Sequence, residues 1–382
     1  MGKVHIPFNR VSIQGNEFKY IQQAISDDHI SGDGIFTHKC NSLLEKELGV
    51  NKFLLTTSCT HALEMAAILL DIKPGDEVIV PSFTFVSIVN AFVLRGAKVV
   101  FVDIRPDTLN MDETQLEGLI AGKTKAIVPV HYAGVGCEMD IIMDVANKHG
   151  IPVIEDNAHG LFGRYKRRYL GTFGTFATQS FHETKNFSCG EGGALLINDE
   201  KYIERAEIIR EKGTDRSNFI RGLVDKYTWV DIGSSYLPSD ILAAFLHAQL
   251  EQKERIQTKR KKIWKAYYNH LKNWAEVNNV RLPFIPEYCE QTYHMFYLIF
   301  ETKKLRTRFL AHMNEQGIKA IFHYLPLHIS KMGKKFGGAK GDCSVAENVS
   351  DRLVRLPFYT DMTVNELDYI LDQVKLFFVD IK

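Results

Sequence analysis

From about residue 50 to 200, short apolar runs alternate with stretches of helical spacing. Residues 52–56 are strand-like, and 77–80, 98–102, 126–130, 152–155 and 193–197 are further β-branched runs bounded by Gly, Pro or Asp, which predicts strands. Helices are predicted over 61–70 and at about 86–95, 113–120 and 138–149. This alternation implies βαβ units and a mainly parallel sheet covered by helices on both faces. After Pro238 the texture changes. Residues 239–276 read as one or two long helices, and the chain beyond about 290 mixes strands (295–300, 319–324) with helices (305–315, 363–378). The expected architecture is a large α/β domain over 1–245 and a smaller α+β domain over 246–382.

In such sheets ligands bind beyond the carboxyl ends of the strands, so the turns there are where chemistry is sought. Thr56-Thr57-Ser58-Cys59-Thr60-His61 places small hydroxyl groups at a helix N-terminus, suited either to a phosphate or to plain capping. Ile154-Glu155-Asp156-Asn157-Ala158-His159 ends a strand in two carboxylates, and a buried carboxylate needs a cation or hydrogen bonds. Gln179-Ser180-Phe181-His182-Glu183-Thr184-Lys185 offers a lysine able to form a Schiff base if its surroundings lower its pKa. Gly190-Glu191-Gly192-Gly193 follows, permitting close backbone approach. Pro81-Ser82-Phe83-Thr84-Phe85 adds an aromatic that could stack on a flat heterocycle or simply fill core. Together these turns suit pyridoxal phosphate (PLP), whose ring nitrogen is a cation when protonated and makes the ring an electron sink.

The runs TTSCTHALEMA, PSFTFVS, VPVHYAG, VIEDNAHG, SFHETKN and GEGGALL, followed by DIGSSYLPSDILAAFL and HYLPLH, resemble the DegT/DnrJ/EryC1/StrS family of sugar aminotransferases from about residue 6 to 378. The resemblance implies the aspartate aminotransferase-like fold type I of PLP enzymes, working as a homodimer with shared active sites. It matches Lys185 to the Schiff-base lysine, Asp156 to the pyridinium partner and Phe85 to the stacking aromatic. Thr60, His61 and Ser180 match the phosphate cradle. His159 falls near the cofactor's phenolic oxygen, Ser235 on the segment that crosses to the partner subunit, and His328 near the sugar. Gly233-Ser234-Ser235-Tyr236-Leu237 departs from the G-x-N-x-R of many relatives, so the phosphate site is expected to be less cationic. SFHETKN and SSYL look like the branch that moves an amino group from L-glutamate to C4 of a dTDP-4-keto-6-deoxyhexose for cell-surface polysaccharides. Lys212, Arg216 and Arg221 then become candidates for the substrate's diphosphate.

Composition narrows the alternatives. The 382 residues are 45% hydrophobic and 24% charged with a net charge of +1, which gives no footprint for nucleic acid. Lys259-Arg260-Lys261-Lys262 reads as a solvated helix face. No stretch reaches the roughly 18 apolar residues of a membrane span, and the N-terminus lacks a signal-peptide pattern. Six scattered cysteines without a C-x-x-C pair suggest a reduced, cytoplasmic protein. His131, His159 and His182 match no zinc spacing. Gly134-Val135-Gly136 lacks the third glycine of a dinucleotide fingerprint. A sugar dehydratase of the same superfamily would carry His at position 185. A PLP-binding regulator would add a DNA-binding module, and the sequence has no basic helix-turn-helix pattern. No role for His182 follows from the sequence.

Overall fold

The computed structural model describes residues 5–379. Seven strands form the main sheet: β1 (Lys52–Thr56), β2 (Glu77–Pro81), β3 (Lys98–Val102), β4 (Thr124–Ile127), β5 (Ile154–Asp156), β6 (Phe176–Ser180) and β7 (Gly193–Ile197). β2 lies parallel to β3 and β4, and β5 lies parallel to β6. Parallel bridges Ile127–Val153 and Val130–Asp156 stitch β4 to β5. β7 runs antiparallel to both β6 and β1. The order is therefore β3-β2-β4-β5-β6-β7-β1 with β7 reversed, a mainly parallel sheet as the alternating pattern implies.

The strands are apolar on both sides because helices cover both faces. Leu54, Leu195 and Ile197 point to one side, where helix Cys59–Leu69 packs with Ala62, Ala66 and Leu69. Their neighbours Phe53, Leu55, Ala194 and Leu196 point to the other, against Phe36 and Leu44 of helix Ile35–Leu48 and Ala243 and Leu250 of helix Asp240–Glu251. This period of two is the strand geometry itself. Burying each Leu or Ile contributes about 1.5–3 kcal/mol.

A separate core gathers Ile263, Tyr267 and Leu271, spaced by four on helix Lys253–Val277, with Phe296, Leu298, Phe309, Leu356 and Leu371. Here Tyr297–Ile299 pairs antiparallel with Leu353–Arg355.

Several expectations need correction. Residues 319–324 form no strand: Ile321 makes a single bridge to Arg355. The chain then leaves the ladder because His323 turns to Tyr132, whose hydroxyl lies 2.9 Å from its Nδ1. Residues 113–120 make only a 3-10 turn, Glu113–Gln115, and one helical turn, Leu116–Leu119. Arg260 is not part of a solvated face. It is 2% exposed and donates to the carbonyls of Tyr293 and His294 at 3.1 and 2.6 Å, while Lys261 and Lys262 do face water. Helices Glu17–Ser26 and Ile35–Leu48 were not foreseen from the sequence.

Candidate active site

Register brings the first three elements of the site abreast. Gly193 on β7 pairs with Ser180 on β6 and with Thr56 on β1. Just past Thr56, Ser58 caps helix Cys59–Leu69 by accepting the His61 N–H at 3.1 Å. Thr57 Oγ1 bonds the His61 ring, and Thr60 Oγ1 donates to Ser87 Oγ at 2.8 Å. A side chain at 193 would drive its Cβ to 2.2 Å from the backbone of Ser58 and Cys59, so only glycine lets β7 run beside this turn. Helix dipole, free N–H groups and three hydroxyl or imidazole groups thus converge at one sheet edge, where an anion is stabilised.

The two carboxylates ending β5 have opposite fates, because successive strand residues face opposite sides. Glu155 is saturated. It accepts the N–H groups of Gly171, Phe173 and Gly174 at 2.8, 2.6 and 2.8 Å and lies 2.9 Å from His131 Nε2, and both Glu155 and His131 are fully buried. Asp156 is also buried, yet it accepts one hydrogen bond, from Ala158 N–H at 3.1 Å, and has no ion pair among the described residues. Burial pushes its pKa up, with the Ala158 bond and Lys185 acting against that. A cation placed beside it would offset the burial, which is what the ring nitrogen of PLP supplies.

Lys185 sits on a loop folded back on itself. Phe181 N–H donates to Gly192 O at 2.8 Å, Glu183 N–H to Gly190 O at 2.9 Å, and Lys185 N–H to His182 O at 2.9 Å. Gly190 holds φ at 87°, a region other residues avoid. His182 Nδ1 lies 3.0 Å from Thr184 Oγ1, so this histidine shapes the loop that presents the lysine. Burial lowers the Lys185 pKa to about 8; Cys59 and Asp156 oppose the shift and Arg355 adds to it. An ordinary lysine titrates near 10.4 and is almost wholly charged at neutral pH. The rate at which apoenzyme captures PLP, read by stopped-flow absorbance, is expected to rise with pH up to about 8 and level off above it, because only the neutral amine attacks. A rate still climbing tenfold per pH unit at pH 9.5 would mean an unperturbed lysine.

His294 and His323, which the sequence did not single out, complete the floor with His159. His159 stacks on His294 with ring centroids 4.3 Å apart, and His294 Nδ1 lies 2.9 Å from Asn186 Oδ1, next to Lys185. His323 and Tyr324 follow, and the HYLPLH run was their available signal; His294 had none. A small void of about 10 Å³ behind Lys185 is bounded by His159, Ser180, Asn186 and His294. Phe85 is 58% exposed, a ring with a free face 6.4 Å from Tyr324. The residues present therefore fit PLP: a phosphate cradle, an aromatic, an unpaired carboxylate and an amine of lowered pKa.

The remaining candidates stand apart, with no hydrogen bond or ion pair to the Lys185 cluster among the described residues. His328 is fully buried, with Nδ1 2.5 Å from Ser82 Oγ and Nε2 3.0 Å from Glu347 Oε1, so both ring nitrogens are committed within the protein. Lys212 and Arg216 pair with Glu211 at 2.7 and 3.8 Å, and Arg221 pairs with Glu207. The segment is thus locally neutralised rather than freely cationic. Ser235 is exposed and bridges Glu211 through its backbone. Among the described residues no cluster of three or more His, Cys, Asp or Glu could hold a metal, and no helix is long and apolar enough to cross a membrane.

Comparison with known proteins identifies the family. The profile of the DegT/DnrJ/EryC1/StrS aminotransferase family matches residues 11–375. The uncharacterized protein MJ1066 of Methanocaldococcus jannaschii is 33% identical over 377 residues, 97% of each chain. The spore coat polysaccharide biosynthesis protein SpsC of Bacillus subtilis is 32% identical over 336 residues, 86% of each. Among solved structures, the proposed sugar aminotransferase Spr1654 from Streptococcus pneumoniae in its PLP form superposes with a TM-score of 0.91 at 26% identity, over 99% of this chain and 100% of that one. The same protein is also known in a form carrying pyridoxamine phosphate (PMP), the aminated cofactor.

Proposed function

The chain belongs to the DegT/DnrJ/EryC1/StrS aminotransferase family, with fold type I architecture and PLP as cofactor, and from that premise we propose that it moves an amino group from L-glutamate to C4 of a dTDP-linked 4-keto-6-deoxyhexose. The observation carrying the chemistry is the pairing of a buried, unpartnered Asp156 with a Lys185 of lowered pKa. Bound PLP supplies an electron sink for charge developing at the substrate carbon. Asp156 would hold the proton on the ring nitrogen. Thr60, His61, Ser180 and the helix N-terminus would hold the phosphate, with Phe85 and His159 as the further groups available to the cofactor. Neutral Lys185 Nζ takes the proton from the donor's α-carbon and, in the second half-reaction, delivers one to the sugar's C4.

A sugar acceptor is supported by the names of two relatives, one in spore coat polysaccharide synthesis and one a proposed sugar aminotransferase. The choice of dTDP and C4 rests on the SFHETKN and SSYL runs. Lys212, Arg216 and Arg221 would take the diphosphate by exchanging Glu207 and Glu211 for it, and His328 would shape the sugar side through Ser82. Incubating the enzyme with glutamate and dTDP-4-keto-6-deoxyglucose should place nitrogen on C4 by NMR. Nitrogen on C3, or turnover with UDP- or GDP-sugars alone, would overturn the substrate and leave the PLP chemistry standing.

A homodimer, in the cytoplasm, is part of the same reading, with the large domain ending near residue 245. Phe219, Ile220, Leu223, Tyr227, Trp229 and Val230 are each more than two-fifths exposed, an apolar stretch beside Ser235 that suits burial against a second copy. Light scattering should give twice the 43.6 kDa chain mass; a monomer with full activity would contradict shared sites.

A further inference from the structure

Lys185 hangs between two side-chain anchors. The residue after it, Asn186, donates through Nδ2 to Thr292 O at 2.7 Å and meets His294 Nδ1 through Oδ1 at 2.9 Å. Before it, the turn 182–185 closes with the Lys185 N–H donating to His182 O at 2.9 Å. Inside that turn the Thr184 N–H donates to His182 Nδ1 at 3.3 Å, and Thr184 Oγ1 lies 3.0 Å from the same atom. A backbone N–H can only donate, so Nδ1 carries no hydrogen and offers its lone pair to both groups of Thr184. The other ring nitrogen, Nε2, is 3.7 Å from Glu191 Oε1, too far for a hydrogen bond.

The first position of a tight turn is ordinarily held by Asp, Asn or Ser, whose oxygen accepts the N–H two residues on. Here a histidine does that work. Its Nδ1 and the Oδ1 of an asparagine are both bonded to Cγ, so they reach the same point. Backbone bonds from Phe181 to Gly192 and from Glu183 to Gly190 join the two arms of the wider loop, but they stop short of residues 184 and 185. The N–H groups of those two residues are both held by His182, one by its ring and one by its carbonyl. The His182 N–H in turn donates to Ser180 Oγ at 3.4 Å, which ties the turn to the phosphate cradle. A shift of the backbone at this turn therefore moves Lys185 relative to the site.

We propose that His182 is a positioning residue for Lys185: the lone pair of its Nδ1 fixes Thr184, and so sets where Lys185 Nζ stands when it moves the proton. The assignment rests on the aminotransferase reading above and adds to it a residue that acts through the turn.

The test follows single-turnover conversion of the PLP-loaded enzyme with L-glutamate in His182→Ala, His182→Phe and His182→Asn. Alanine removes the acceptor, and phenylalanine keeps a ring without it. Both should lower the limiting rate on the order of 10-fold, short of the roughly 100-fold that a misplacement of about 1 Å can cost. The half-saturating glutamate concentration and the affinity for PLP should not change, because the ring holds neither. Melting temperatures should stay near that of wild type, since the His182 side chain is 41% exposed. His182→Asn returns an acceptor to the same point and should recover most of the rate. Thr184→Val keeps the backbone donor, loses the hydroxyl and should fall between wild type and His182→Ala. If His182→Ala does not fold, the comparison of phenylalanine with asparagine carries the test. An undiminished limiting rate in the alanine and phenylalanine variants, an asparagine variant as slow as they are, or a loss confined to glutamate saturation or melting temperature would overturn the assignment. Wild-type enzyme that reacts with no amino acid would instead overturn the parent reading, and the assignment with it.

Discussion

Lys185→Ala is expected to lower turnover by at least about three orders of magnitude, since it removes both the amine that holds the cofactor and the group that moves the proton; general acid–base catalysis alone is worth roughly 10²–10⁴-fold. The fold should survive. The loop is held by backbone bonds among residues 181–192 rather than by the lysine side chain, and truncation relieves the cost of enclosing an amine. PLP should still bind, through the cradle at Ser58–His61 and Ser180, but should wash out on dialysis. The readout is single-turnover absorbance with glutamate. A variant keeping a tenth of wild-type turnover would place the chemistry on another residue.

Asp156→Asn should cost about 10²–10⁴-fold in the first half-reaction with little loss of stability. An amide fills the same space and can still accept from Ala158 N–H, but it cannot hold a proton on a ring nitrogen. Removing one partner of a buried charge pair costs about 3–5 kcal/mol, which is this range in rate if the charge is needed in the transition state. The neighbouring carboxylate is the built-in control. Glu155→Gln disrupts four contacts that hold the 171–174 turn and His131, so its cost should appear in the melting temperature. Near-normal glutamate kinetics in Asp156→Asn would reduce Asp156 to a turn residue.

The parts of the fold legible in the sequence were those with local causes. Short apolar runs announced β1, β2, β3 and β7, the last three beside Gly, Pro or Asp, because strands buried on both faces can be little else. The reversal of β7 was not legible, since a strand's direction leaves no mark on its own composition. Helix Ile35–Leu48 escaped because Thr37 and Asn41, both buried, break its apolar stripe. Asp240 accepts from Thr37 across 203 residues, a contact no window of sequence contains.

The site divides in the same way. Asp156, Lys185 and the Ser58–His61 turn lie at strand ends, where position alone suggests chemistry. His294 and His323 come from the C-terminal third and reach the His159 ring beside Lys185 only through folding, so their places could not be read from spacing. The cations at 212–221 failed as a simple charge argument because Glu211 pairs with Lys212 and Arg216, and Glu207 pairs with Arg221. Ser82 and His328 lie in runs the sequence singled out, but the bond from His328 to Glu347 was not legible there.

Borohydride reduction of the PLP-loaded protein, followed by proteolysis and mass spectrometry of the labelled peptide, tests the central claim most directly. The account predicts a single pyridoxyl group, on Lys185, in the peptide spanning SFHETKN. Stoichiometric label on any other lysine, or none at all on a protein whose PLP content is confirmed, would contradict it.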